Sequence, residues 1–152
     1  MSIQLSAPAL PAIFDQVTHF LCDRLSERSE VLPRESRWIE VTAGDPEVLL
    51  QNWIEELLLI HETEGTLFRH SESTLEKLPS GSLLLRGHLW GEPFDPIRHT
   101  LRTAVPSRPF RRPVLRQDGE TWQVELDLAP GATETEKSDE DPLAAAGGIA
   151  GG

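Results

Sequence analysis

The sequence predicts an α+β domain in which two helices pack on mixed or antiparallel sheet, and three observations carry that prediction. The first half of the chain contains two segments whose apolar residues recur at helical spacing. The second half contains short runs in which apolar and polar residues alternate. After residue 129 the composition shifts to acidic residues, Ala and Gly. Residues 1–129 are therefore read as one domain and residues 130–152 as a disordered acidic, Gly/Ala-rich tail. The tail sets five acids against the single base Lys137 and has almost no apolar side chains to bury.

The elements follow in order. Ile3 to Leu5 reads as a short opening strand. From Ala9, the residues Ile13, Phe14, Val17, Phe20, Leu21 and Leu25 share one helix face, with Pro8 and Pro11 at its start, where a missing N–H costs little. Arg37 to Val41 has the β-branched, Trp-containing character of a strand. Asp45-Pro46 is a helix start, an N-cap acid followed by proline at the first helical position. The helix that follows carries Leu49, Leu50, Trp53, Ile54, Leu57, Leu58 and Ile60, a stripe broad enough to make it the main core element. It should stop at Gly65 in a left-handed cap. Thr66 to Ser73 and Leu83 to Trp90 are strands joined around Pro79 to Gly81. Gly91 to His99 is a loop in which Phe94 serves as an anchor. Thr100 to Val105 and Phe110 to Leu115 are shorter strands. Asp118-Gly119 is a turn, and Trp122 to Leu128 closes the domain as an alternating strand.

Composition narrows the function classes. Hydrophobic residues make up 38%, slightly low for a globular chain, and part of that deficit lies in the tail. The net charge of −11 repels a phosphate backbone, so no stable direct binding to nucleic acid is expected. One basic cluster, Arg108, Arg111, Arg112 and Arg116, reads either as a solvated edge hairpin or as a contact for RNA or an acidic partner. The lone cysteine, Cys22, sits among apolar residues and reads as a buried, inert thiol; no disulfide framework is possible. No apolar run approaches the roughly 20 residues of a membrane span, and the N-terminus lacks the features of a signal peptide. The expectation is a cytoplasmic protein.

No phosphate-binding loop, dinucleotide fingerprint, paired-cysteine motif or serine nucleophile elbow occurs. Three groups could carry chemistry. His61, Glu62 and Glu64 could ligate a metal, or could form a polar helix terminus with His61 against the dipole. Glu92 and Asp95 with His99 could be functional, or could shape a proline-rich turn. Asp127, beside Leu126 and Leu128, is either a solvated strand residue or a hard oxygen ligand at a strand end.

The order of these features resembles the archease family. The residues that carry the resemblance are Asp45, the helix segment Asn52-Trp53-Ile54-Glu55-Glu56-Leu57-Leu58, then Glu62-Thr63-Glu64-Gly65. They continue with Gly91-Glu92-Pro93-Phe94-Asp95-Pro96 followed by His99 and Leu101, and end with the Asp-Gly turn, Trp122 and Val124 to Leu128. The resemblance implies an accessory protein of an RtcB-type RNA ligase in tRNA splicing or RNA repair, promoting guanylylation and multiple turnover. It implies a divalent metal, calcium first and magnesium or manganese next, held by Asp127 and the backbone carbonyl of Leu128, and a partner bound by a monomer.

Two departures from the family pattern stand out. The N-terminal His-Thr-Ala-Asp motif is absent, and Ile3 to Pro8 fits the strand that follows it, so its Asp would lie just before Met1. The positions after His99 that usually carry an acid, a lysine, a Thr and a His read Ala104, Pro106, Pro109 and Arg111. An alternative is therefore a degenerate, metal-free protein-interaction module. A third reading, a small hydrolase, would use Glu62, Glu64, Asp95 or His99.

Overall fold

The computed structural model describes residues 2–101 and 113–127. The elements are β1 (Ser2–Ala7), α1 (Leu10–Leu25), a single 3-10 turn (Arg28–Glu30), β2 (Glu35–Ala43), α2 (Pro46–Glu64), β3 (Thr66–Lys77), β4 (Leu83–Pro93), β5 (Val114–Asp118) and β6 (Thr121–Asp127). The α+β expectation holds, and all strand pairing is antiparallel, divided between two three-stranded sheets. One has the order β1-β6-β5 and the other β2-β4-β3. Both helices contact both sheets, so the core lies where the two sheets and two helices meet.

Local chemistry sets the helix ends. Asp45 accepts the Val48 N–H at 3.0 Å, Pro46 follows it, and Glu47 adds a carboxylate to the first turn, where the helix dipole favours it. Replacing Asp45 with Ala should cost about 0.5–2 kcal/mol, read as a lower urea midpoint with an unchanged slope. At the other end Gly65 stands at φ 70°, ψ 20°, and its N–H donates to the His61 carbonyl, a left-handed cap. Helix α1 starts with Pro11 at its second position and no side-chain cap.

Trp53, Leu49, Leu50 and Ile54 have no exposed surface, and Leu57 is also buried. Trp53 fits there because Nε1–H donates to Thr18 Oγ1 at 3.0 Å, while the Thr18 hydroxyl donates to the Phe14 carbonyl at 2.8 Å. From α1 come Ile13, Phe14, Val17 and Leu21, with Phe20 only half-buried. Cys22 is buried, and burial pushes its thiol up to about 12, which removes thiolate character near neutral pH.

Side chains from the helices cover strand edges. Asp15 on α1 accepts the Ser71 and Ser73 hydroxyls, each at 2.7 Å, and the Ser73 N–H at 3.2 Å, which satisfies an amide of edge strand β3. Glu47 accepts the Leu115 N–H of edge strand β5 at 2.8 Å.

Several expectations need adjustment. Gly91 to Pro93 belong to β4 and pair with β3, so the loop is shorter than the proline content suggests. Pro93 is tolerated because it ends its strand. Gly91 is required there: a Cβ at this position would fall on the Leu67 carbonyl oxygen, beside a register shift in β3. Thr100 lies outside any strand, and Leu101 makes only an isolated bridge to Ser26. Strand β5 runs from Val114 to Asp118, so it extends beyond the expected end at Leu115, while residues 110–112 of that expected strand lie outside the described residues; the turn that follows has Gly119 at φ 65°. Residues 102–112, the tail and the boundary at 129 lie outside the described residues, as do Arg108, Arg111, Arg112, Ala104, Pro106 and Pro109. Among the described residues no helix is long and apolar enough to cross a membrane.

Candidate functional site

Asp127 ends β6 and lies in register with Ser2, the first residue of β1. The pairing of β1 with β6 thus brings residues from near both ends of the described chain to one edge. Asp127 is half-buried, and strand alternation puts it on the same face as Glu125. Val124 and Leu126 point the other way, into the core. Further along this outer face Gln4, Ser6, Arg116, Gln123 and Glu125 line an open cleft of about 220 Å³. Arg116, the only described member of the basic cluster, is exposed on edge strand β5.

A hard cation takes six to eight oxygens as calcium, or near-octahedral oxygens as magnesium. Among the described residues, no group of three or more His, Cys, Asp and Glu is arranged to hold a metal ion. Asp127 is one carboxylate at the right kind of place, a strand end, and Leu128 lies outside the described residues. The described donors alone therefore do not make up a cation site.

The densest charged cluster lies elsewhere, around Glu92. Its side chain is only 2% exposed, yet it accepts the Leu32 N–H at 2.7 Å, Arg98 Nη2 at 2.5 Å and His99 Nε2 at 2.9 Å. Arg34 approaches to 3.7 Å. Burial pushes this carboxyl upward, but the hydrogen bonds from Arg98, Leu32 and His99 outweigh it and hold it down at about 2. The Asp95 N–H donates to His99 Nδ1 at 2.8 Å, so that nitrogen is the acceptor and Nε2 carries the proton given to Glu92. Around this hub the segment from Asp95 to Thr100 is tied to residues 27–32: the Thr100 N–H donates to Glu30 at 2.9 Å and the Glu27 N–H to the Thr100 carbonyl at 3.1 Å. The sequence reading singled out Asp95 and His99 and underrated Glu92. The signal was available as an acid with Arg and His six and seven residues later.

The other candidates separate. Phe94 is 36% exposed, yet its ring lies 6.1 Å from that of the buried His99, and its N–H donates to the Gly65 carbonyl at 2.9 Å, so ring and backbone both hold the loop. Glu64 pairs at the surface with Arg37 through contacts of 2.6 and 3.3 Å, a bond that holds its carboxyl below the usual range. His61 lies in the last turn of α2, with Nδ1 3.0 Å from the Thr66 carbonyl. Glu62 is exposed. His99 is buried with both ring nitrogens engaged, which leaves it no lone pair or proton for a substrate. Glu64 and His99 are thus each engaged in bonds within the fold, and Glu62 stands exposed on α2.

Residues 1–127 match the Archease protein family (MTH1598/TM1083). The protein archease of Pyrococcus abyssi is 38% identical over 97 residues, which is 64% of this chain and 68% of that protein. The Methanopyrus kandleri archease is 33% identical over 105 residues, 69% of this chain and 74% of its own. That of Sulfurisphaera tokodaii is 30% identical over 106 residues, 70% of this chain and 74% of its own. The solution structure of Methanobacterium thermoautotrophicum protein 1598 shares the fold, with a TM-score of 0.65 at 23% identity over 84% of this chain and 91% of that one. A match of this extent supports an accessory role, and with it the chain belongs to the archease family.

Proposed function

We propose that this chain is an accessory factor of an RtcB-type RNA ligase in tRNA splicing or RNA repair, promoting guanylylation and multiple turnover of its partner. The observation that carries the reading is the family match over residues 1–127. The chain acts by docking as a cytoplasmic monomer, without stable direct binding to nucleic acid, as its net charge of −11 favours. Asp127 and the Leu128 carbonyl contribute to a divalent cation site for calcium, magnesium or manganese. The pairing of Ser2 with Asp127 supports this, because any carboxylate carried just before β1 would arrive beside Asp127. When bound, such a cation supplies positive charge at the docked edge, and the outer face of β1-β6-β5 supplies the polar surface around it.

Asp127→Ala tests the site. The variant should keep the parent's fold, because Asp127 is half-buried at a strand end, yet lose stimulation of a cognate ligase by more than about tenfold, since removing a direct ligand should cost at least as much as removing a group that only orients one. Calcium, magnesium or manganese should raise the melting temperature of the parent and not of the variant. Unchanged stimulation by the variant would remove the metal assignment. A parent chain that stimulates no RtcB-type ligase would remove the accessory reading itself. The second reading, a metal-free interaction module, is favoured by the lack of a three-donor group among the described residues. It predicts stimulation, or binding of the partner, that chelators leave intact.

A further inference from the structure

The open face of the β2-β4-β3 sheet carries four rings in one continuous stack. Trp38 of β2 lies on His88 of β4 with centroids 4.3 Å apart and planes at 16°. His88 meets Trp90, two residues along the same strand, at 3.9 Å and 35°. Trp90 stacks on His70 of β3 at 4.6 Å and 15°. The register explains the ladder, since Trp38 pairs with His88 and His70 with Trp90. Leu85 and Leu89 point from β4 into the core, so the alternate positions 88 and 90 face away from it. The last ring, Trp38, is 60% exposed. The result is a large aromatic surface packed on its inner side and open on its outer side.

The surroundings select the occupant. Glu40, beside Trp38 on the same face, is joined to Arg86 at 2.7 Å, so that arginine is already engaged. Glu72 and Glu76 are exposed on the same side of β3. On the other flank of β2 an open groove of about 290 Å³ runs between the strand and α2, lined by Thr42, Asn52, Glu55, Glu56 and the 48% exposed Leu59. Strand β2 is an edge of its sheet, and Asn52 bonds the Thr42 carbonyl on the groove side. Acid on both flanks repels a phosphodiester and attracts a cation, and an edge strand offers backbone groups to an extended chain.

We propose that Trp38 and the acidic groove beside β2 form a docking surface for a basic, arginine-bearing polypeptide segment. An extended segment along the β2 edge would alternate its side chains between the two faces of the sheet, so that an arginine guanidinium stacks on Trp38 on the outer face and the neighbouring basic side chains meet Glu55 and Glu56 on the α2 side. Arginine fits better than lysine because its planar, weakly hydrated head stacks on an indole while still donating to carboxylates. The ladder behind Trp38 holds the ring in place before binding, which lowers the ordering cost.

The test is a titration of the full chain with a short oligo-arginine peptide, an oligo-lysine peptide of equal length and a single-stranded oligouridylate, following the tryptophan indole resonances by NMR. The arginine peptide should shift the Trp38 resonance at lower concentration than the lysine peptide, and the RNA should leave it in place. Trp38→Leu should weaken the arginine peptide by about two- to fivefold, the worth of an exposed cation–π contact, at an unchanged melting temperature. Glu55→Gln with Glu56→Gln, which leaves the aromatic ladder intact, should weaken both peptides. Equal response to arginine and lysine, or unchanged arginine affinity in Trp38→Leu, would overturn the proposal. A Trp38 shift produced by the RNA at lower concentration than by the arginine peptide would overturn it in favour of a nucleobase platform.

Discussion

Glu92→Ala should destabilise the fold by about 3–5 kcal/mol, because it leaves the buried His99 Nε2–H and the part-buried Leu32 N–H without an acceptor at about 1–3 kcal/mol each and also removes the Arg98 pair. Glu92→Gln keeps one carbonyl oxygen and should cost less, since an amide can still accept from Leu32 or His99. The two variants together separate loss of shape from loss of charge. The pH dependence follows from the same bonds. The folded-state carboxyl is held at about 2, below the 4.5 expected of a free glutamate. A carboxyl depressed on folding contributes stability that is fully present above the unfolded value and is lost as pH falls through the folded one. The parent should therefore lose stability between pH about 4.5 and about 2, and Glu92→Gln should show a flatter profile there. Urea midpoints measured across that window decide the matter, and identical profiles in parent and variant would refute the role given to this carboxylate. Loss of this carboxylate should also loosen the 94–100 segment from residues 27–32, which Glu92 and Glu30 tie together.

What the sequence makes legible is local. Asp45-Pro46 and Gly65 mark the ends of α2 because capping chemistry acts within a few residues, and the Asp118-Gly119 turn is readable for the same reason. The split into two sheets is not legible, because the partner of β1 is β6, more than a hundred residues away, and nothing in Ile3 or Leu5 names it. Phe94 in the proline-rich loop packs its ring against His99 while remaining 36% exposed, and what the sequence does not show is that the His99 beside it is buried on the Glu92 carboxylate. The ring ladder escaped notice because Trp38, His70, His88 and Trp90 lie on three strands, and only the register brings them into contact. The position of Asp127 near a strand end was readable from the alternation of residues 122–128, and only its role as a metal ligand came from the family resemblance. Its pairing with Ser2 came only from the structure.

Trp53 and Gly87 should behave as one unit in a double-mutant cycle. A Cβ on Gly87 would run into the six-membered ring of Trp53, with Cζ3 at 2.9 Å and Cη2 nearer still. Trp53 itself has no exposed surface, and its N–H is tied to Thr18, so the ring cannot swing aside without orphaning that bond. Gly87→Ala alone should therefore cost about 1–3 kcal/mol as overpacking. Trp53→Ala should cost about 3–5 kcal/mol as a cavity. Trp53→Phe keeps an aromatic ring but vacates the space under Gly87, and in that background the added methyl group meets no obstacle and fills part of the void. The two changes should then cost less together than their sum, by a coupling of about 1–2 kcal/mol. Urea unfolding of the four proteins at a common slope measures it. Additivity to within about 0.5 kcal/mol would mean that the indole does not lie against β4 as described, and the packing of α2 on the β2-β4-β3 sheet would have to be redrawn.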